Sequence, residues 1–495
     1  MSSAIPKLHI ITFGCKVNQC DAEELAQALA QRGCPVEIGP EPELGNSFSV
    51  QRSAFNVIYI INTCSVTSTA DAKARKLIRR LAKEHPQARI IVTGCYAERA
   101  ADEIGRLGEN IRVVSNREKE RIPELIAQDG EVGGGVREPR PRGALRSGGL
   151  YEGRPQRPEP DKPACEEGGP FGVRRRAAAL ESGSFLPPEH LPTSKMTATK
   201  SSAPTHRTRA FIKIQDGCDH VCAYCIVHSL RGPMHSKPLS QAIADISRAC
   251  ANGAKEVVLC GIRLGAYGAD FSDGTTLASL LRELRGRPLP RLRLSSIEPL
   301  DLSDDLIDEL ADHPSLCHHL HLPLQSGDDG VLAAMQRGYS RDDFRRLVEK
   351  LHAVWPDLSI TTDIMVGFPG EDDAAFAQTL AAMREFDFSK VHVFRFSPRP
   401  GTPAATLPQQ APEQVKRARL EAVQRLADEL FQQRAQRMQG ETVEVLIEQR
   451  NSATGRWEGL TPPYLRVELA GAEWSAGEIV AARITGAGRD FLIGE

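Results

Sequence analysis

Apolar runs of four or five residues alternate with amphipathic stretches through residues 1–127. Residues 8–12 (LHIIT), 57–61 (VIYII) and 89–93 (RIIVT) read as buried strands, because apolar and β-branched side chains dominate both faces. Asp21, with Glu24 three positions on, predicts the start of a helix that stops near Gly33, and residues 74–81 lie in a second helix. Such alternation predicts an open parallel sheet with helices on its faces.

The rhythm resumes over residues 209–411. Strands are expected at 211–214, 256–259, 291–295, 318–322, 359–366 and 391–396, with helices near 239–251, 277–285, 303–311 and 342–354. About six such units predict a partial (β/α)6 barrel with its site at the carboxyl ends of the strands. An arginine-rich helix is expected over 412–439. Residues 440–495 carry short runs broken by Asn451-Ser452, Gly455, Pro462-Pro463, Gly471 and Gly477, a pattern that suits a small β-barrel. The fold class is α/β with a terminal β-barrel.

Between these regions the patterning fails. Residues 128–208 are rich in Gly, Pro, Arg and Ser. They offer too little apolar surface to offset chain entropy, so a largely disordered, mildly basic linker is expected, with its arginines solvated. The length of 495 residues accommodates about three domains. With 62 basic and 64 acidic residues, the formal net charge of −2 gives no global field for nucleic acid or membrane, and any basic surface must be local. Twelve cysteines, without a secretory signal or a membrane-length apolar run, point to a reducing cytoplasm where thiols ligate metals or react.

The placement of those cysteines carries the chemistry. Residues 216–225, DGCDHVCAYC, follow an expected strand and space Cys218, Cys222 and Cys225 as Cys-x3-Cys-x2-Cys. Three thiolates hold three irons of a [4Fe–4S] cube and leave the last iron open to a substrate or cofactor. A zinc knuckle is the competing reading, but it uses paired Cys-x2-Cys or Cys/His ligands. Cys15, Cys64 and Cys95 each follow one of the first three strands almost at once. In a parallel sheet all three lie beyond the carboxyl edge, where open α/β sheets build their sites. Any one alone reads as a buried small hydrophobe, whereas the repeated placement points to a second three-cysteine [4Fe–4S] site. Cys20, Cys34, Cys165, Cys250, Cys260 and Cys317 show no such pattern and read as ordinary thiols.

These cysteines stand among further motifs: GCKVNQ at 14–19, NTC at 62–64, TGC at 93–95, SSIEP at 295–299, HLHLPLQSG at 319–327 and SPRPGTP at 397–403. With them, nearly everything outside the linker resembles the radical-SAM methylthiotransferases, which place a methylthio group on an unactivated carbon of tRNA or of a ribosomal protein. The terminal barrel looks like a TRAM domain. GCKVNQ, SSIEP and GIRLGAYG at 261–268 are similar to the MtaB subgroup, whose substrate is N6-threonylcarbamoyladenosine immediately 3′ to the anticodon. The GCQMN and TSPHP-like segments of relatives that modify isopentenyladenosine are absent.

The resemblance implies that the cluster on Cys218, Cys222 and Cys225 binds S-adenosylmethionine and delivers the electron that splits its sulfonium. The 5′-deoxyadenosyl radical then takes the hydrogen from C2 of the adenine. It implies that the cluster on Cys15, Cys64 and Cys95 carries the sulfur, methylated by another S-adenosylmethionine before transfer. The implied partners are tRNA, an electron donor and a sulfur donor, with no membrane. Tyr224 is expected near the cofactor's adenine or as a packed loop aromatic. Gly367, Pro369 and Gly370 either bring backbone close to the cofactor or form a tight turn. Glu298 and Gln325, at strand ends, are expected at ribose or methionine polar groups.

Departures from the family pattern are an extra loop around residues 39–53 and the long linker; neither removes a ligand. The terminal segment has five arginines, no lysines and nine acidic residues, which argues against a simple phosphate clamp there. Arg417 and Arg419 of the long helix are the stronger candidates for tRNA phosphate. Binding by the barrel would use one face, with Arg450, Arg456 and Arg466, or rely on Trp457 and Tyr464 for stacking. The same chemistry on isopentenyladenosine or on a ribosomal-protein aspartate, and a non-catalytic iron–sulfur RNA-binding protein, are the alternatives.

Overall fold

The computed structural model describes residues 6–39, 57–65, 68–131, 208–471 and 473–495. The extra loop, Cys165 and nearly all of the expected linker lie outside them. Five parallel strands form the first sheet: β1 (Lys7–Thr12), β2 (Val36–Gly39), β3 (Val57–Thr63), β4 (Arg89–Gly94) and β5 (Ile111–Val113), in the order β2-β1-β3-β4-β5. The apolar runs are continuous because both faces are covered. Leu8, Ile10, Ile58 and Ile60 pack with Leu29 and Ile122 on one side, and Ile11, Ile61, Ile90 and Val92 pack with Leu77, Ile78 and Leu81 on the other. The sequence reading missed β2 and β5. Both are short edge strands without a fully buried residue, so neither has the apolar run by which a strand is recognised.

The first helix corrects another expectation. It spans Lys16–Gln31, beginning directly after Cys15 instead of at Asp21. Asp21 is not a cap: it is buried in the second turn, where Lys119 at 2.8 Å, Lys213 and Arg231 at 3.2 Å surround it.

The second region contains β6 (Arg209–Lys213), a two-residue antiparallel ladder of β7 (Gln215–Asp216) with β8 (His235–Ser236), then β9 (Glu256–Cys260), β10 (Leu292–Leu294), β11 (His319–His321), β12 (Ser359–Val366) and β13 (Lys390–Arg395). Two parallel three-stranded sheets, β10-β9-β6 and β11-β12-β13, are stitched by parallel bridges Leu292↔Leu316 and Ser296↔His321. The six long-range strands thus curve into the expected open barrel, with helices Leu239–Ala251, Leu277–Leu284, Asp304–Asp312, Arg341–Val354 and Asp373–Glu385 outside it. Thr276, Ser303, Ser340 and Asp372 cap four of these by accepting from backbone N–H groups. Alternate residues of β6 and β9 face inward, where Phe211, Val258 and Cys260 pack against Val17 and Cys20. The first helix therefore seats the N-terminal sheet on the inner surface of the barrel.

Helix Glu413–Arg437 leads into a closed barrel of β14 (Thr442–Arg450), β15 (Trp457–Leu460), β16 (Arg466–Leu469), β17 (Ile479–Ala487) and β18 (Leu492–Gly494), ordered β14-β15-β16-β18-β17. Buried Arg291 and Arg293 anchor it by donating to the carbonyls of Leu460, Thr461 and Pro462. No described helix is long and apolar enough to cross a membrane.

Candidate active site

The Cys218 loop is fixed by backbone geometry. Gly217 has φ +71°, and a Cβ there would lie 2.0 Å from the Pro233 carbonyl oxygen, so only glycine fits. The Cys218 N–H donates to Gly232 O at 3.2 Å, and Cys225 N–H to Cys222 O at 3.0 Å. Ala223 is tied on both sides, donating to Met335 O and accepting from Ala404 N–H. Burial pushes the Cys218 thiol up and the Cys225 thiol up to about 12, with each neighbouring sulfur adding to the effect. Isolated thiolates are costly here, and a cluster that binds them as ligands removes that cost.

Arg337, which sequence reasoning missed, supplies compensating charge. It is buried, donates to Cys222 Sγ at 3.4 Å and Tyr224 Oη at 3.3 Å, and pairs with Glu298. Two residues assigned to the cofactor thus meet at one guanidinium. Nothing local marks Arg337, which lies 115 positions from Cys222.

Cys15, Cys64 and Cys95 converge at the carboxyl edge of the first sheet. Gly14 (φ +91°) has no room for a side chain: its Cβ would fall 2.5 Å from Cys64 Cβ and 2.6 Å from Cys64 Sγ. Asn18 Nδ2 donates to Phe13 O at 2.8 Å and Thr63 O at 3.1 Å, and Asn62 Nδ2 donates to Asn18 O at 2.8 Å, which ties the ends of β1 and β3 together. Thr63 Oγ1 donates to Thr93 O at 2.6 Å and so joins β4. Cys15 is the N-cap of the first helix. Burial raises the Cys95 thiol, and Arg231 opposes it.

Arg231 is the second residue that sequence reasoning missed. It closes the short helix Val227–Arg231 directly after the Cys218 loop and is almost fully buried. Its guanidinium donates to both Asp216 oxygens at 2.8 and 2.9 Å and to Asn18, and its charge acts on Cys95 and Cys15. Cys95 itself packs on Ile226 and Leu230. Ile226 follows Cys225 directly, so the second triplet lies against the segment that leaves the first, with Arg231 beside the second triplet and Arg337 beside the first. Among the described residues no three His, Cys, Asp or Glu side chains close on a single ion; a cube spreads its ligands over separate irons, and all-sulfur donors in electropositive surroundings suit it.

The remaining candidates divide. Gln325 is buried in the left-handed region (φ +68°) with its backbone bridged to Ile364, so its side chain leaves a strained strand end. Of the two readings of Gly367, Pro369 and Gly370, the structure shows the features of the tight turn. A Gly367 Cβ would lie 2.3 Å from Lys416 Cγ, the Gly367 N–H donates to Glu371 at 2.6 Å and the Gly370 N–H to Gln409 O at 3.2 Å. With Pro369 buried between them, this is a tight turn clamped onto the long helix. Arg419 is also corrected: it is buried, donates to Glu371 at 2.8 Å and Asp373 at 2.9 Å, and cannot reach a phosphate. Arg417 is exposed beside Glu421. Arg450 is exposed, Arg456 is half-buried, and Trp457 packs partly on the terminal barrel core.

Comparison with known proteins places this geometry. Residues 212–383 match the Radical SAM superfamily, residues 7–115 the Uncharacterized protein family UPF0004 and residues 436–495 the TRAM domain. The threonylcarbamoyladenosine tRNA methylthiotransferase MtaB of Thermotoga maritima is 35% identical over 443 residues, 89% of this chain and 86% of that protein. The chain belongs to the radical-SAM methylthiotransferase family. The MtaB of Bacillus subtilis is 32% identical over 98% of the chain and 95% of its own length. A tRNA-2-methylthio-N(6)-dimethylallyladenosine synthase of Syntrophotalea carbinolica is also 32% identical, over 98% of the chain and 99% of that protein. Among solved structures, the radical S-adenosylmethionine methyltransferase TsrM of Kitasatospora setae, with cobalamin and a [4Fe-4S] cluster bound, superposes with a TM-score of 0.52 at 16% identity, over 81% of this chain and 74% of that one, a likeness of fold. As a radical-SAM methylthiotransferase, the protein is a transferase that uses S-adenosylmethionine and [4Fe–4S] clusters.

Proposed function

We propose that this protein adds a methylthio group to C2 of N6-threonylcarbamoyladenosine immediately 3′ to the anticodon of tRNA. The observation that carries the reading is the packing of Cys95, of one triplet, on Ile226 and Leu230, which directly follow the loop of the other, because sulfur insertion needs a radical source and a sulfur source beside one substrate. Cys218, Cys222 and Cys225 hold one [4Fe–4S] cluster, and Cys15, Cys64 and Cys95 hold the other. When bound, these clusters and S-adenosylmethionine supply a radical able to take hydrogen from an unactivated carbon and a sulfur atom to replace it. The chain's own residues position and shield: Arg337 holds Glu298 and Tyr224 beside the first triplet, and the Gly217 turn fixes its loop. Glu298, Gln325 and Tyr224 line the S-adenosylmethionine site. Arg417, Arg450, Arg456 and Trp457 meet the tRNA, in the cytoplasm, and separate electron and sulfur donors serve the two clusters.

GCKVNQ and SSIEP favour threonylcarbamoyladenosine over the dimethylallyl substrate of the Syntrophotalea relative. Nucleoside mass spectrometry of tRNA from a deletion strain decides between them. The expected result is loss of the 2-methylthio-threonylcarbamoyl nucleoside with its unmethylthiolated precursor retained. An unchanged profile, or loss of the isopentenyl-type nucleoside instead, overturns the substrate assignment.

A further inference from the structure

A cavity of about 530 Å³ is lined by Lys16, the residue after Cys15, and Gln19 of the first helix, Arg209 and Phe211 of β6, and Glu448 and Tyr464 of the terminal barrel. Its charges are unequal in status. Arg209 is paired, its Nε 2.5 Å from Glu448 with Glu256 behind it at 3.9 Å. Lys16 is half-buried and has no carboxylate partner among the described residues. Its ammonium lies 5.5 Å from the centroid of the Tyr464 ring, a contact that leaves its three N–H donors open. That ring is itself rigidly held: it stacks on His319 at 4.6 Å, lies 4.9 Å from the Arg293 guanidinium, and sits on a backbone with φ +68°. The nearby His319 and His392 are kept neutral by burial, His392 at about 4, so they place no competing cation in the cavity.

We propose that Lys16 receives the free carboxylate of the amino-acid group on the substrate adenosine, and thereby distinguishes it from adenosines with an apolar N6 substituent. The inference rests on the threonylcarbamoyladenosine reading above. On adenine, C2 and C6 flank the ring nitrogen N1, so a substituent on the amino group of C6 that turns toward N1 lies at the same edge as the reacting carbon. Lys16 adjoins Cys15, and its half-buried ammonium forms a stronger charge-assisted hydrogen bond than it would in bulk water.

The test uses reconstituted full-length protein under anaerobic conditions, with matched iron and sulfide content, and three anticodon stem-loops. One carries threonylcarbamoyladenosine, one its neutral carboxamide and one plain adenosine; affinity is read by fluorescence anisotropy. Wild type is expected to bind the carboxylate form about 10-fold more tightly than the carboxamide. Lys16→Gln should abolish that preference by weakening the carboxylate form alone, and Lys16→Arg should keep most of it. Equal binding of the two forms by wild type overturns the proposal. So does a Lys16→Gln protein that binds all three stem-loops more weakly by the same factor, the mark of a phosphate contact, or a Lys16→Arg protein as indifferent as Lys16→Gln, the mark of a structural role. The deletion-strain profile tests the substrate separately: if it fails while the carboxylate preference stands, the subsite is real and the nucleoside was misassigned.

Discussion

Cys218, Cys222 and Cys225 sit on a single loop, shaped by the Gly217 turn and tied by backbone hydrogen bonds to Gly232, Met335 and Ala404, whereas Cys15, Cys64 and Cys95 come from the ends of three separate strands. The first triplet is contiguous in sequence, and the rest of the barrel only clamps a loop that already carries all three ligands. The second exists only when β1, β3 and β4 lie side by side in parallel, with Asn18, Asn62 and Thr63 tying their ends. A site assembled in this way depends on the fold of a whole sheet, so its ligands and its stability are coupled. A site carried on a loop is not coupled to the same degree.

The sharpest way to break this comparison is to remove one ligand from each triplet. Cys218→Ala is expected to abolish reductive cleavage of S-adenosylmethionine, so that 5′-deoxyadenosine falls to background in an anaerobic assay. Cys64→Ala should stop methylthiolation while leaving measurable cleavage, because the first loop forms without it. Iron analysis should find roughly half the wild-type content in each variant, since each loses one cluster of two. If Cys64→Ala still gives full product, the second triplet has been assigned the wrong role.

A smaller effect is expected at Arg231, beside the second triplet. Arg231→Met keeps the volume of the stem but leaves Asp216 and Asp21 without their closest guanidinium. Breaking a buried pair from one side costs about 3 kcal/mol. Lys213 and Lys119 remain nearby and reduce that figure. The expected result is a lower unfolding midpoint in denaturant together with an altered electron paramagnetic resonance signal from the second cluster, whose ligands Cys95 and Cys15 lose the neighbouring charge. A stability loss with an unaltered signal would show that Arg231 joins the two regions mechanically and has no electrostatic role at the second triplet.

What the sequence made legible follows the same division. The cysteine loop could be read within ten residues, and the strand-then-cysteine repeats could be read because fully buried parallel strands leave unbroken apolar runs such as VIYII. Interactions between distant segments left no such trace. Asp21 has the local context of a helix cap, yet Lys119, Lys213 and Arg231 draw it into a buried cluster. Arg419 looks like one more arginine of a basic helix until Glu371 and Asp373 approach it from the barrel. Gly367 reads from the sequence as a cofactor contact or a tight turn, and only the fold shows Lys416 of the long helix packed against it. Arg337 and Arg231, which organise the site, bond to residues that only the fold brings near. Charged side chains were misread wherever their partner lay on another element, while apolar periodicity was read well because it is a property of the element itself.

The buried charge cluster also sets the smallest predicted effect, a dependence on pH. Burial alone would raise the Asp216 carboxyl, but Arg231, Lys213 and Lys119 outweigh it and hold it well below the usual carboxylate range. Asp21 is likewise lowered against its burial, by Lys213, Lys119 and Arg231. Both groups therefore bind protons more weakly folded than unfolded. Their contribution to stability is complete above the unfolded carboxylate value of about 3.9 and is lost as pH falls below it toward the folded values. Unfolding rates followed by tryptophan fluorescence from about pH 6 to about pH 3 should rise more steeply in wild type than in Arg231→Met, since the variant has already lost part of the depression. Parallel profiles would mean that the lysines alone hold the two carboxylates down, and Arg231 would then owe its burial to Asn18 and the second triplet rather than to the acid pair.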